Sequence, residues 1–293
     1  MPESRAQVWI LAARPKTLPA AIAPVLIGTA MAYADGGAHW PSALAAMIGA
    51  LLIQIGTNFA NDYFDYMKGS DTGERLGPLR VTQAGLVAPN TMMRATLLVF
   101  GLAILIGWYL VWRGGWLILV IGLLSIFFGV LYTGGPYPLG YNGLGELFVL
   151  TFFGPVAVGG TYYVQVLDIT WPVLIAGLAP GLLSVAILTV NNLRDLDHDR
   201  ASGKRTMAVR FGRQFTLREY NWSLLLACVV PVVLVLFFRG NVWSMLAVLT
   251  VAPSIAAMRK VSRVTGRDLN DCLAGTGRLL LVYSVIFSLG WIL

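Results

Sequence analysis

Asn61, Asp62, Tyr63, Phe64 and Asp65 form one short acidic run, and Asn191, Asn192, Leu193, Arg194, Asp195, Leu196, Asp197, His198 and Asp199 form another further along the chain. Each closes a long apolar segment. An uncompensated carboxylate at the edge of a hydrocarbon layer costs several kcal/mol, so such clusters mark function rather than packing. Aspartate and asparagine oxygens are hard donors of the kind Mg²⁺ takes, typically one or two carboxylates together with phosphate oxygens and water. Cations follow both runs, Lys68, Arg75 and Arg80 after the first and Lys204 and Arg205 after the second. Guanidinium and ammonium groups placed there could hold phosphate oxygens through charge-assisted bonds. The chemistry these residues suit is magnesium-bridged binding of a diphosphate.

Helix geometry divides the acids. Residues four apart lie on one helical face, so Asn61 and Asp65 share a face with Asp62 on its flank, while Asn191, Asp195 and Asp199 form a stripe. Asp197 points nearly the opposite way and reads as a surface or ion-paired residue. Gly69 is expected to end the first helix, leaving Asp71 in a loop able to fold back. Asn61, Asp65, Asp195 and Asp199 are therefore the leading metal ligands, and Asp62 and Asp71 secondary ones. The structural alternative is a pair of helix ends whose acids merely meet Lys68, Arg75, Arg194 or Arg200. Capping does not require two acidic clusters with one spacing.

The elements that must position these residues lie in lipid. The chain is 57% hydrophobic and 12% charged, with a mean hydropathy of +0.72, whereas a soluble domain carries about 25% charged residues. A bilayer core about 30 Å thick needs roughly 20 apolar residues per helix. Nine segments qualify, near 17–34, 41–63, 91–112, 115–132, 143–166, 171–194, 216–238, 241–258 and 271–292. The expected fold is an all-α integral membrane protein, a bundle of nine transmembrane helices in a single domain over 1–293. The shared Asn-x-x-x-Asp spacing, each copy followed by a glycine-bearing cationic loop, suggests duplication around a central cavity.

Lys and Arg fix the orientation, because cytoplasmic loops retain positive charge. With the N-terminus inside, 19 of the 21 fall on the cytoplasmic side and only Arg113 and Arg239 outside. Both acidic runs then face the cytoplasm. The net charge of +7 is a topology signal that also suits anionic membrane lipid, and it calls for no nucleic acid. Arg14, Lys16 and the apolar stretch before Ala34 imitate a cleavable signal, but Pro19 and Pro24 interrupt that stretch and it is read as the first span. No transit peptide is evident, which points to a bacterial inner membrane. Cys228 and Cys272 give no reason to expect a disulfide.

Several ordered signatures resemble a known family. Asn61-Asp-Tyr-Phe-Asp65 with Lys68-Gly-Ser-Asp71, and Asn192-Leu-Arg-Asp195 with Asp199, are similar to the two aspartate motifs of the UbiA superfamily of intramembrane prenyltransferases. Arg14-Pro-Lys-Thr-Leu-Pro19, Gly77-Pro-Leu-Arg80, Tyr132-Thr-Gly-Gly-Pro136, Tyr141-Asn-Gly-Leu-Gly-Glu146 and Gly203-Lys-Arg-Thr206 resemble its 1,4-dihydroxy-2-naphthoate branch. The resemblance spans most of the chain. It implies a nine-helix bundle with a cytoplasm-facing polar chamber and a lipid-open tunnel.

The activity so implied is transfer of a polyprenyl group from polyprenyl diphosphate to 1,4-dihydroxy-2-naphthoate, with loss of carbon dioxide and diphosphate, giving demethylmenaquinol in menaquinone biosynthesis. Asn61, Asp65, Asp195 and Asp199 would hold Mg²⁺, and Arg80, Lys204, Lys68 and Arg194 would complete the neutralisation of the diphosphate. Tyr132 or Phe64 could shield an allylic cation. Arg14 and Lys16 could pair with the naphthoate carboxylate or the diphosphate, or be ordinary positive flanks. Glu146 is either a general base or a cap, and the Lys- and Arg-free loop from Thr133 to Asn142 a lid or a tight connection. His198 reads as a solvated helix-end histidine. The alternatives are a relative acting on another aromatic acceptor (4-hydroxybenzoate, a homogentisate-like ring or haem) and a cation-binding transporter. Two clusters on one side argue against a midplane transport site.

Overall fold

A chain this apolar must satisfy its own backbone polar groups, because lipid offers no partners for exposed N–H and C=O, and helices do so within one segment. The computed structural model describes residues 4–69 and 76–293, and among these it contains helices and no strand. The α-helical elements run α1 (Arg5–Ala13), α2 (Pro19–Ala34), α3 (Trp40–Met67), α4 (Pro89–Gly114), α5 (Trp116–Leu131), α6 (Gly145–Thr151), α7 (Ala157–Val166), α8 (Trp171–Arg194), α9 (Leu196–Ala201), α10 (Met207–Phe238), α11 (Val251–Arg263) and α12 (Leu269–Ile292). A π-helical turn at Phe152–Val156 joins α6 to α7, making one span, Gly145–Val166. A 3-10 stretch at Val242–Thr250 likewise extends α11 to Val242–Arg263.

Each of the nine expected apolar segments is helical at its expected place. By length and composition, seven described helices can cross a membrane, and α1 with α2 makes an eighth unit bent by 54°. The ninth, α5, has 16 residues, roughly 24 Å of helix at 1.5 Å per residue, short of a full hydrocarbon core.

Within the bundle α8 is central. Of its apolar window 72% is buried, against 17% for α4. Ile27 and Met31 of α2, Leu183 and Val190 of α8, Leu224 of α10 and Leu280 and Phe287 of α12 pack into one core. A smaller cluster of Ala12, Phe59, Val81, Val87 and Met92 ties α1, α3 and α4 to the loop after α3. The outward faces of α4 and α5 expose Leu98, Leu105, Trp112, Trp116 and Phe127, an apolar surface of the kind that faces lipid.

Backbone-to-backbone packing fixes α8 against the broken span. Pro155 withholds an N–H and Gly154 departs from helical geometry at φ −110 and ψ −115, so the helix opens into its π turn there. A Cβ on Gly177 would lie 2.7 Å from Pro155 Cα, and one on Gly181 only 2.6 Å from the Leu150 carbonyl oxygen. Only glycine permits that approach, which in lipid replaces the missing hydrophobic drive between helices. Gly101 on α4, by contrast, has nothing within 4 Å of its Cβ position. Gly177→Ala is expected to destabilise the detergent-solubilised protein by about 1–3 kcal/mol and Gly101→Ala to leave it unchanged, as read by thermal unfolding; equal behaviour of the two would contradict this packing.

Candidate active site

Loops from separate parts of the chain close one face of the bundle. The Arg205 N–H donates to the Tyr141 carbonyl at 2.7 Å, Lys68 Nζ to the Thr133 carbonyl at 2.6 Å and Asn270 Nδ2 to the Leu76 carbonyl at 2.9 Å. The ends of α3 and α8 that carry the acidic runs both arrive at this face.

Asp65, near the end of α3, is buried to 1% exposure. Arg80 forms an ion pair with its Oδ2, the Tyr141 hydroxyl donates to its Oδ1, and Lys204 Nζ lies 3.7 Å from Oδ1. Tyr141 stands between two ammonium groups, Lys68 at 4.9 Å and Lys204 at 4.5 Å from its ring centroid, so its face adds cation–π attraction to both. Partial burial holds the Lys68 ammonium below its usual pKa, with Asp65 opposing the shift. On the neighbouring turn Asn61 Oδ1 accepts from the Thr133 hydroxyl at 2.7 Å.

Asp62 serves the backbone instead. Its two oxygens accept from the N–H groups of Val81 at 3.2 Å and Thr82 at 3.1 Å, anchoring the loop that carries Arg80. That arrangement places its carboxylate against the loop and outside the cavity lining.

The second run is built around Arg194. Its Nε and Nη2 donate to the two oxygens of Asp195 at 2.8 and 2.6 Å, Nη2 also to Asn191 Oδ1 at 2.8 Å and Nη1 to Asn270 Oδ1 at 2.9 Å. The fork thus fixes its own helix end and does not line the cavity, unlike the expected phosphate contact. The helix breaks at Asp195, with φ −92 and ψ 7, and restarts as α9. The Asp199 N–H still donates to the Asp195 carbonyl at 2.7 Å, so the predicted stripe survives the break. Asp197 is exposed beside Arg200 at 3.7 Å, as its helical phase predicted. Burial pushes Asp199 up to about 6, against the pull of Lys204.

Lys204 unites the runs. Its ammonium lies 3.7 Å from Asp65 and 3.6 Å from Asp199, so carboxylates 134 positions apart in the sequence face one cation. This point is the polar end of a cavity of about 460 Å³, where Arg14, Asn61, Asp65, Arg80, Tyr132, Asp195, Asp199 and Lys204 contribute to the wall. Phe128, Phe148, Phe152, Ile118 and Trp108 line its apolar part.

Residues 21–285 match the UbiA prenyltransferase family. The chain belongs to that family. It is 39% identical over 278 residues to the 1,4-dihydroxy-2-naphthoate octaprenyltransferase of Mycobacterium tuberculosis, covering 94% of each chain. It is also 39% identical over 300 residues to the enzyme of that name from Escherichia coli, covering 98% of this chain and 96% of that one. Among solved structures, a UbiA homolog from Archaeoglobus fulgidus bound to DMAPP and Mg²⁺ shares the fold, with a TM-score of 0.64 at 12% identity over 96% of this chain and 99% of that one. The chain is an integral membrane protein with a UbiA-like helical fold.

The structure therefore gathers Asn61, Asp65, Asp195, Asp199, Arg80, Lys204, Arg14 and Tyr132 at one cavity. Lys16 is exposed and, like Lys68 and Arg194, stands outside the lining. Asp71 and Arg75 lie outside the described residues. His198 is half-buried in the cavity wall and not solvated as expected; three residues after Asp195, it lies near the face of the stripe. Tyr141, whose hydroxyl and ring organise Asp65 and both lysines, is a site residue that spacing did not reveal. The signal available was a tyrosine in a loop that the charge pattern assigns to the cytoplasmic side yet that lacks any Lys or Arg. Asp62→Ala is expected to raise amide hydrogen exchange at Val81 and Thr82 at least about tenfold, the loss of one or more charge-assisted bonds, with α8 amides unaffected; unchanged protection at both amides would refute the anchoring role.

Proposed function

We propose that this protein transfers a polyprenyl group from its diphosphate to 1,4-dihydroxy-2-naphthoate, releasing carbon dioxide and diphosphate, in menaquinone biosynthesis. The observation that carries the reading is the meeting of both acidic runs at Lys204, on the polar end of a cavity whose other part is apolar. Such a cavity suits a molecule with a highly charged head and a long hydrocarbon tail. The names of the relatives direct that chemistry to naphthoate.

The donor set fits Mg²⁺. Among the described residues, no three His, Cys, Asp or Glu side chains form a ready-made cage. The acids instead stand in two groups, which suits an ion that takes few protein ligands and fills its octahedron with phosphate oxygens and water. Asn61, Asp65, Asp195 and Asp199 would hold the metal. When bound, it acts as a Lewis acid on the diphosphate.

Arg80 and Lys204 bind the diphosphate and stabilise the charge it gains as the allylic C–O bond breaks, the electron pair leaving with the oxygen. Pre-aimed cations of this kind need little reorganisation during the reaction. A ring carbon of the naphthoate then forms the new C–C bond, and the carboxylate departs as carbon dioxide, leaving its electron pair to the ring. Phe128, Phe148 and Phe152 exclude water that would capture the cationic donor. Arg14, in the same wall, pairs with the acceptor carboxylate. Asp65→Ala and Asp195→Ala should each lower kcat by about 10²-fold or more, while Asp197→Ala leaves it unchanged; full activity in either of the first two would defeat the mechanism.

The site faces the cytoplasm of a bacterial inner membrane on this reading, supported by the basic loops that surround it. Cys228 and Cys272 are buried, so introduced thiols report cleanly. A membrane-impermeant maleimide should label Asp197→Cys only in inside-out vesicles and Asp168→Cys, at the opposite end of α8, only in right-side-out ones. The reverse pattern would invert the topology.

A further inference from the structure

Asn192 belongs to the second run but not to its stripe. It is 7% exposed and lines the cavity. Its Nδ2 donates to Glu146 Oε1 at 2.9 Å, and Glu146, at the start of α6, stands behind the wall and outside the lining. A carboxylate accepts hydrogen bonds and cannot donate them. The amide nitrogen is therefore fixed toward Glu146, and the carbonyl oxygen Oδ1 is turned to the cavity side.

That oxygen has nothing to offer a diphosphate, which is itself acceptor-only. It matches a hydroxyl donor. The wall around it is closely packed and largely apolar: Tyr132 and Leu188 line it and sit over Gly145, where a Cβ would lie 2.9 Å from the phenol oxygen and 3.3 Å from Leu188 Cδ2. Next to them Phe128 packs on Phe148 at 4.6 Å and on Phe152 at 5.5 Å between ring centroids. Apolar faces beside an aimed carbonyl are what a hydroxylated aromatic requires.

We propose that Asn192 accepts a hydrogen bond from one ring hydroxyl of the aromatic acceptor, and that Glu146 is the positioning residue that decides which amide atom faces it. The inference rests on the naphthoate reading of the proposed function. A carbonyl pulling on the O–H proton leaves more electron density in the ring, which favours its attack on the donor. Without Glu146 the amide is able to flip and present N–H instead.

The test is steady-state kinetics of the purified protein in lipid nanodiscs, at saturating polyprenyl diphosphate and Mg²⁺. Acceptors are 1,4-dihydroxy-2-naphthoate and its two mono-methyl ethers, each of which deletes one hydroxyl donor. The wild type should discriminate against one ether by about tenfold or more in kcat/KM, the effect of one buried hydrogen bond. Asn192→Leu should lower kcat/KM for the dihydroxy acceptor by a similar factor, leave the donor KM unchanged and lose the discrimination. Glu146→Leu should reproduce that pattern, and Glu146→Gln, whose Oε1 still accepts, should recover part of it. If Glu146→Leu does not fold, Asn192→Leu and Glu146→Gln carry the comparison. Discrimination retained in Asn192→Leu would overturn the proposal, and so would a loss expressed as a raised Mg²⁺ requirement or donor KM, which would make Asn192 a ligand at the diphosphate. Failure of the wild type to prenylate naphthoate at all would overturn the substrate reading, and this inference with it.

Discussion

A carboxylate taken out of water beside lipid is several kcal/mol too high in free energy unless a cation goes with it. Asp65, Asp195 and Asp199 are all buried at the ends of spans, and each has its cation: Arg80 for Asp65, Arg194 for Asp195, Lys204 for Asp199 and Asp65 together. Only one of those cations comes from the same helix as its acid. Arg80 and Lys204 arrive on loops, so those loops must be held against the helix ends before the carboxylates can be buried. Asp62, Tyr141 and the contact between Arg205 and Tyr141 supply the holding. The closed polar face is in this sense a consequence of charge balance.

The rest of the bundle shows where regular helix is given up. The chain bends by 54° between α1 and α2, opens into a π turn at Phe152–Val156 and breaks between α8 and α9. Residues at or next to each of these sites line the cavity, among them Arg14, Phe152 and Asp195. Irregular backbone is tolerated at membrane depth only where protein or a polar cavity satisfies it. At the first bend Asn58 supplies part of that satisfaction, its Nδ2 donating to the Ala13 carbonyl at 2.9 Å and to the Thr17 hydroxyl at 3.1 Å. Asn58 lies on α3 one turn before Asn61, so the helix that presents the first acidic run also fixes the bend that presents Arg14.

Much of this is legible in the sequence for a physical reason: apolar length and helical period are local properties. The nine helical segments and the opposite facing of Asp197 and Asp199 follow from them directly. The illegible part depends on which partner arrives from elsewhere. Asp62 and Asp65 are of one residue type on adjacent faces, yet one binds backbone N–H groups and the other an arginine, because the loop after α3 folds across the flank. Arg194, at the end of its span, reads in sequence as a cation that helps neutralise the diphosphate, but its position directly before Asp195 lets the fork close on its own helix end. His198 lies three residues after Asp195, where helical spacing puts it near the stripe, but a histidine at a helix end reads as solvated unless the packing around that end is known, and here it is half-buried in the cavity wall.

The pairing also bears on how the proposed substrate would enter. Arg80 and Lys204 are held by Asp65 and Asp199, carboxylates that would hold the metal, so Mg²⁺ would compensate the acids and the diphosphate the bases. Bound together, the two would leave no buried charge alone. Arriving separately, either would strand the other set, and a single unpaired buried charge costs more than the pair contributes. Arg194 stays out of this exchange, since its donors also hold Asn191 and Asn270. It keeps Asp195 in place while the cations on the loops change hands. On the proposed reading, the division between an arginine fixed on the helix end and cations carried on loops would let a pre-neutralised site accept a charged complex in preference to the bare anion.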